Sequence, residues 1–285
     1  MGIPQSTVRP AHYAGTWYPG DAMDLRESIE GYLARVPPVT LPGQVLALVS
    51  PHAGHRFGGP VAAHAYAQLK NQSVQRVVLM GPLHRPLLGA LFSDFLIPAE
   101  SAYQTPLGQV PLDRDFIDRL GQRVALKSVR HDEEHSLEIE LPFLQVTLEH
   151  FTLVPIMIGA DIAGHGVPAR LEALATALAG LADEHTLFLC STDLSHLNNY
   201  VEVRAVDQQM QQLVNAFDVD ALTQALVAGD VMACGATGLV VALRAARLRG
   251  ATGARVLAYM SSGDVTGDKH PGSYTVGYMA AAAYK

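Results

Sequence analysis

The chain has 285 residues, 49% of them hydrophobic and only 16% charged, with a formal net charge of −7. That length buries a substantial core, and that charge gives no electrostatic attraction to nucleic acid or to an anionic membrane surface. Two cysteines cannot form a disulfide framework, and no window approaches a membrane span, so a cytoplasmic enzyme-like protein with a small ligand is expected.

In chain order, short apolar runs rich in Val, Ile and Leu alternate with segments of helical period, the pattern of a mainly parallel sheet covered on both faces. Strands are predicted at 44–50, 76–81, 90–97, 152–158, 186–192, 254–261 and 273–281. Helices are predicted at 21–35, 58–70, 113–121, 136–150, 166–183, 202–217, 218–228 and 236–249. Pro142 falls inside the 136–150 pattern, where it forces a kink unless it occupies a first turn. The fold class expected is α/β, a single three-layer α/β/α domain over 1–285 with a mostly parallel central sheet.

Three of the strands end in a loop histidine: Ser50-Pro51-His52, Gly81-Pro82-Leu83-His84 and Ser191-Thr192-Asp193-Leu194-Ser195-His196. If the strands are parallel neighbours, all three imidazoles emerge on the carboxyl-end rim, where ligands collect in open α/β sheets. Neutral imidazole is the commonest side-chain metal ligand, so a mononuclear metal site is the first hypothesis; a histidine capping a strand end is the bland alternative. After His52, the run Ala53-Gly54-His55-Arg56-Phe57-Gly58-Gly59 offers a sharp turn and a glycine-rich helix start. Asp193 and His196 share a loop and read as an acid/base pair, or else as a helix cap beside a surface histidine.

Cys234 precedes a helix beginning near Thr237, and the positive helix end favours its thiolate, the form that binds metal. The alternative is a small buried apolar side chain. The segment His131-Asp132-Glu133-Glu134-His135 matches the H-x-x-E-H pattern of inverted zinc peptidases, which requires both histidines on one helix face. Helical period begins only after Ser136, which weakens that reading. There is no G-x-S-x-G elbow, no phosphate-binding G-x-x-x-x-G-K-[ST] loop and no C-x-x-C.

Taken in order, Tyr13-Ala14-Gly15-Thr16-Trp17-Tyr18-Pro19, Ser50-Pro51-His52-Ala53-Gly54, Gly81-Pro82-Leu83-His84, Thr105-Pro106-Leu107-Gly108, Glu134-His135-Ser136-Leu137-Glu138, Ser191 to His196 and Ala233-Cys234-Gly235 resemble the Memo family, whose prokaryotic members are often called AmmeMemoRadiSam system protein B. That family is similar in fold to class III extradiol dioxygenases. The resemblance implies a metal on His52, His84 and Cys234, with iron or copper expected and zinc the alternative. It also implies that Asp193 and His196 line the site as acid/base residues, that His135 is a further pocket histidine, and that Trp17 and Tyr18 border the substrate. Two functions follow as expectations: an oxygen-dependent oxidoreductase of dioxygenase type, or a non-catalytic protein that handles metal or binds a peptide or partner in the metal cleft. Arg85, Leu197 and Ala236-Thr237-Gly238 depart from the family's usual residues beside the ligands, which bears on pocket polarity rather than on metal binding.

Overall fold

In a computed structural model, residues 8–85, 87 and 95–285 are described. Among the described residues, twelve strands run in the order β1 (Val8–Arg9), β2 (Val45–Ser50), β3 (Arg76–Pro82), β4 (Phe95–Pro98), β5 (Ala102–Thr105), β6 (Gly108–Pro111), β7 (Lys127–Val129), β8 (Thr152–Ile158), β9 (Thr186–Ser191), β10 (His196–Leu197), β11 (Gly253–Ser261) and β12 (Thr275–Tyr284). The helices are α1 (Ala22–Leu33), α2 (His55–Tyr66), α3 (Arg114–Gly121), α4 (His135–Glu138), α5 (Leu141–Thr147), α6 (Val167–Leu181), α7 (Tyr200–Ala216), α8 (Val219–Ala228), α9 (Ala236–Leu248) and α10 (Ser262–Thr266).

Nine strands form one sheet in the order β10-β12-β2-β9-β3-β8-β4-β7, with β11 on β12. Its centre, β2-β9-β3-β8, is parallel, and these strands are buried on both pleat faces, as their uninterrupted apolar runs require. Helix α2, backed by α1 and α5, packs on β2, β11 and β12, while α9, backed by α6 and α8, packs on β2, β3 and β9. The expected parallel arrangement is found in the centre of the sheet, while towards its edges β12 runs antiparallel to β2, β10 and β11, and β4 runs antiparallel to β8, so the sheet as a whole is mixed. The chain returns from β11 to β12 through the short α10, and the two strands pair antiparallel. A second, three-stranded sheet of β1, β5 and β6 was not anticipated; its strands are only two to four residues long, too short for a periodicity signal.

The expected helix at 136–150 divides into α4 and α5, with Pro142 in the first turn of α5, where its missing N–H costs nothing. Helix α2 starts three residues before the expected 58, because Gly54 serves as its N-cap. Of the strand expected at 90–97, β4 supplies the last part and residues 90–94 lie outside the described residues. Among the described residues no helix is long and apolar enough to cross a membrane.

Candidate metal centre

Because β2, β9 and β3 are parallel neighbours, the loops after them share one rim of the sheet. His52 follows β2 directly and is 2% exposed. Its Nδ1 lies 3.0 Å from Ser191 Oγ, at the end of β9. Ser191 Oγ donates its own proton to the Ser136 carbonyl at 2.5 Å, so it accepts from Nδ1–H and leaves a lone pair on His52 Nε2.

His84 and His135 come together because α4 docks on the end of β3. A Cβ on Gly81 would stand 2.7 Å from Ser136 Oγ, and that hydroxyl donates to the Pro82 carbonyl at 2.8 Å, so glycine is required for this approach. Glu134, the N-cap of α4, then serves both rings. Its carboxylate accepts from His84 Nδ1 at 2.9 Å, stands 3.2 Å from His135 Nδ1, and takes the His84 backbone N–H at 2.7 Å. A carboxylate cannot donate, so His84 carries Nδ1–H and keeps its lone pair on Nε2, and the same carboxylate beside His135 Nδ1 favours that tautomer there. This is the carboxylate–histidine arrangement that fixes metal-ligating imidazoles. Burial opposes charge on Glu134, but the His84 hydrogen bond and charge prevail and hold its carboxyl down at about 2.

One ring nitrogen from each of His52, His84 and His135 lies within 4.8 Å of those of the other two. The His84 and His135 rings stack at 4.4 Å, and His52 meets both edge-on at 5.1 and 5.3 Å. Burial, reinforced by the neighbouring imidazoles, drives the His52 pKa well down, and burial brings His135 to about 4. Both are neutral at pH 7, the state in which imidazole ligates.

Cys234 is not a member of that three-nitrogen group, but its Sγ stands 3.0 Å from His52 Nε2. It sits just before α9, where Gly235 allows contact that no other residue would: a Cβ there would stand 2.6 Å from the Ser191 carbonyl oxygen. The thiolate expected from the helix end is opposed. Burial, reinforced by Asp193, pushes the thiol up, so without an ion Cys234 is an S–H donating to His52 Nε2.

Asp193 Oδ1 accepts the backbone N–H groups of His52 and Ala53 at 3.0 and 3.2 Å. Burial dominates and raises its carboxyl to about 7. The expected Asp193–His196 pair is corrected: His196 Nδ1 instead bonds the Tyr274 hydroxyl at 2.8 Å, because β10 pairs with the start of β12 and brings the two together. Both residues nonetheless line one cavity of about 590 Å³, together with Trp17, Arg56, Phe57, Tyr278 and the three clustered histidines.

Trp17 packs 4.4 Å from the His135 ring. It is held there by the segment after β1, since Glu138 accepts from Arg9, from the His12 and Tyr13 backbone N–H groups and from the Tyr18 hydroxyl. Tyr18 therefore belongs to the core, 3% exposed, and is not among the cavity-lining residues, contrary to expectation. The H-x-x-E-H reading is also overturned. His131 has a left-handed φ of 56° and lies outside the helix that begins at His135, so the two histidines share no helix face. Glu134 was missed as an orienting residue because in sequence it reads as an ordinary acidic helix start. Ser191, Arg56, Phe57 and Tyr278 carried no separate signal.

The donor set suits a transition metal: three clustered imidazoles, each with an oxygen beside its Nδ1, and one sulfur. Comparison with known proteins agrees with the motifs. The family described as Memo-like protein matches residues 9–282. A MEMO1 family protein of Methanopyrus kandleri is 32% identical, covering 94% of this chain and 95% of its own. Another, from Aeropyrum pernix, is 34% identical, covering 95% and 97%. Among solved structures, an uncharacterized protein from Escherichia coli K12 is similar at 12% identity and a TM-score of 0.47, covering 85% of this chain and all of that one. On the whole-length match and the two relatives, the chain belongs to the Memo family.

Proposed function

We propose that the protein holds one redox-active ion, iron or copper, on His52, His84 and His135 with Cys234 as an adjoining soft donor, and that it is an oxygen-dependent oxidoreductase acting on a small aromatic or enediol-like molecule. The observation that carries the reading is the convergence of one ring nitrogen from each of three histidines within 4.8 Å, while Ser191 and Glu134 lie against their Nδ1 atoms. His52, His84 and Cys234 are the metal positions that the family resemblance implies; His135 joins them on geometry. Nitrogen donors with one sulfur suit iron(II), copper and zinc. When bound, a redox-active ion supplies electron exchange and Lewis acidity.

The chain's own residues do the rest. Trp17, Phe57 and Tyr278 give the cavity apolar walls that orient a flat ligand and exclude water. Asp193, with its carboxyl near 7 and one oxygen occupied by backbone amides, holds or releases a proton at Oδ2 close to neutral pH. His196, on the opposite hydrogen bond to Tyr274, is the second proton carrier on the wall. Glu134 stays ionised and orients.

The test is elemental analysis of anaerobically purified protein reconstituted with iron or copper, beside His52→Ala, His135→Ala and Cys234→Ala, with oxygen uptake followed on a panel of catechols. Near-stoichiometric metal in the parent, lost in His52→Ala and His135→Ala, together with oxygen consumption, is expected. Stoichiometric metal without turnover would move the reading to metal handling or partner binding, and metal retained in His52→Ala would overturn the site.

A further inference from the structure

The cavity that meets the histidine cluster carries an asymmetry of charge that the metal reading does not use. Its walls are largely apolar, and its buried carboxylate, Asp193, has one oxygen occupied by backbone amides. Arg56, the one arginine among the described residues that lines it, is the second residue of α2 and is exposed, with its guanidinium 5.8 Å from the centroid of the Phe57 ring. Among the described residues no carboxylate lies within ion-pair distance of it. Elsewhere Arg9, Arg76, Arg204 and Arg244 are each matched to acids. Helix α2 adds to the asymmetry. It is twelve residues long, and its N-cap, Gly54, lines the cavity; the His55 N–H is taken by the Trp17 carbonyl and the Phe57 and Gly58 N–H groups by the Gly54 carbonyl, so what the helix contributes to the same space is the positive end of its dipole.

We infer that Arg56 anchors the anionic group of the cavity's ligand, which makes that ligand a small aromatic acid whose carboxylate sits on the guanidinium and whose ring lies between Trp17, Phe57 and Tyr278. This rests on the reading of the cavity as the substrate cleft of the metal centre. A guanidinium presents parallel N–H donors that match a carboxylate in bidentate fashion, and its flat face tolerates the neighbouring Phe57 ring. The cavity volume of about 590 Å³ admits a single-ring compound with space beside the histidines.

Trp17 is the only tryptophan of the chain and lines the cavity, so its fluorescence reports occupancy directly. Benzoate and its uncharged counterpart benzamide are titrated against metal-free protein, against Arg56→Gln and against Arg56→Lys, then again after loading with redox-silent zinc, with zinc content measured in each. The parent is expected to bind benzoate about tenfold more tightly than benzamide, a preference that Arg56→Gln abolishes and Arg56→Lys keeps in part, with benzamide affinity unchanged throughout. No saturable quenching by benzoate, or an undiminished preference in Arg56→Gln, would overturn the anchor. If the preference arises only with zinc and survives Arg56→Gln, the carboxylate binds the ion: the anchor falls and the metal reading stands. If the preference is lost in Arg56→Gln while no variant, nor the parent, takes up zinc, the anchor stands and the metal reading falls.

Discussion

Two carboxylates flank the histidine cluster, one on each side, and their surroundings drive them apart. Asp193 belongs to the wall built from the ends of β2 and β9, where burial dominates and lifts its carboxyl to about 7. Glu134 belongs to the wall built from the loop after β3 and the start of α4, where His84 and the Ser136 N–H outweigh burial and hold it near 2. The first wall is also the deeper: behind His52, buried Glu140 is lifted by burial to about 8 and accepts a 2.5 Å hydrogen bond from Tyr66. Hence one wall stores protons and the other stores fixed charge, although the residue types are the same. What separates them is whether a cationic or N–H partner is within reach.

The largest effect should come from breaking the charged wall at its root. Arg9 is fully buried between Asp132 and Glu138 and also donates to the Glu134 carbonyl. Arg9→Ala strands two buried carboxylates and should cost about 3–5 kcal/mol in urea denaturation. The proton-storing wall should respond in the opposite sense. Unfolded Glu140 loses its proton near an ordinary carboxyl value, whereas the folded protein keeps it up to about 8, so stability falls as pH rises across that window. Glu140→Gln should therefore be more stable than the parent at pH 8, on the order of a few kcal/mol, and nearly equal to it at pH 4. Denaturation midpoints at the two pH values check the sign.

At the cluster itself, Glu134→Gln should weaken zinc binding by about 10–100-fold, because it releases two imidazoles, while Ser191→Ala, which releases one that is already packed on all sides, should cost less than about tenfold. Competition titration with a chromophoric chelator separates them, and equal losses would abolish the distinction between the walls. The smallest effect belongs to the surface. Breaking the half-exposed Arg26–Glu30 pair, 3.9 Å apart, should change stability by less than about 0.5 kcal/mol.

The deep wall was legible in the sequence and the charged wall much less so. Uninterrupted apolar strands that end in Pro-His, Gly-Pro-Leu-His and Thr-Asp-Leu-Ser-His announce a parallel sheet with histidines on its rim. Asp193 and Cys234 were found for the same reason, since both sit at element ends that periodicity defines. Glu134 and His135 depend on how α4 docks against Gly81, a contact between segments some fifty residues apart for which no local pattern exists. Tyr18 misled because alternation along a loop does not say which neighbour points inward: Trp17 meets the cavity and Tyr18 meets Glu138. The antiparallel strand β12 was found as a strand but not in its direction, which is set by long-range pairing rather than by composition.

The bridging of two rings by one carboxylate has a consequence for how the centre tolerates change. His84 and His135 share Glu134 as their common support, so their contributions are not independent, and a double-mutant cycle between them should depart from additivity. In engineering language, this half of the centre has a single point of failure located one atom layer behind the ligands. A natural substitution at Glu134 would weaken the proposed site while leaving His52, His84 and His135 in the sequence intact.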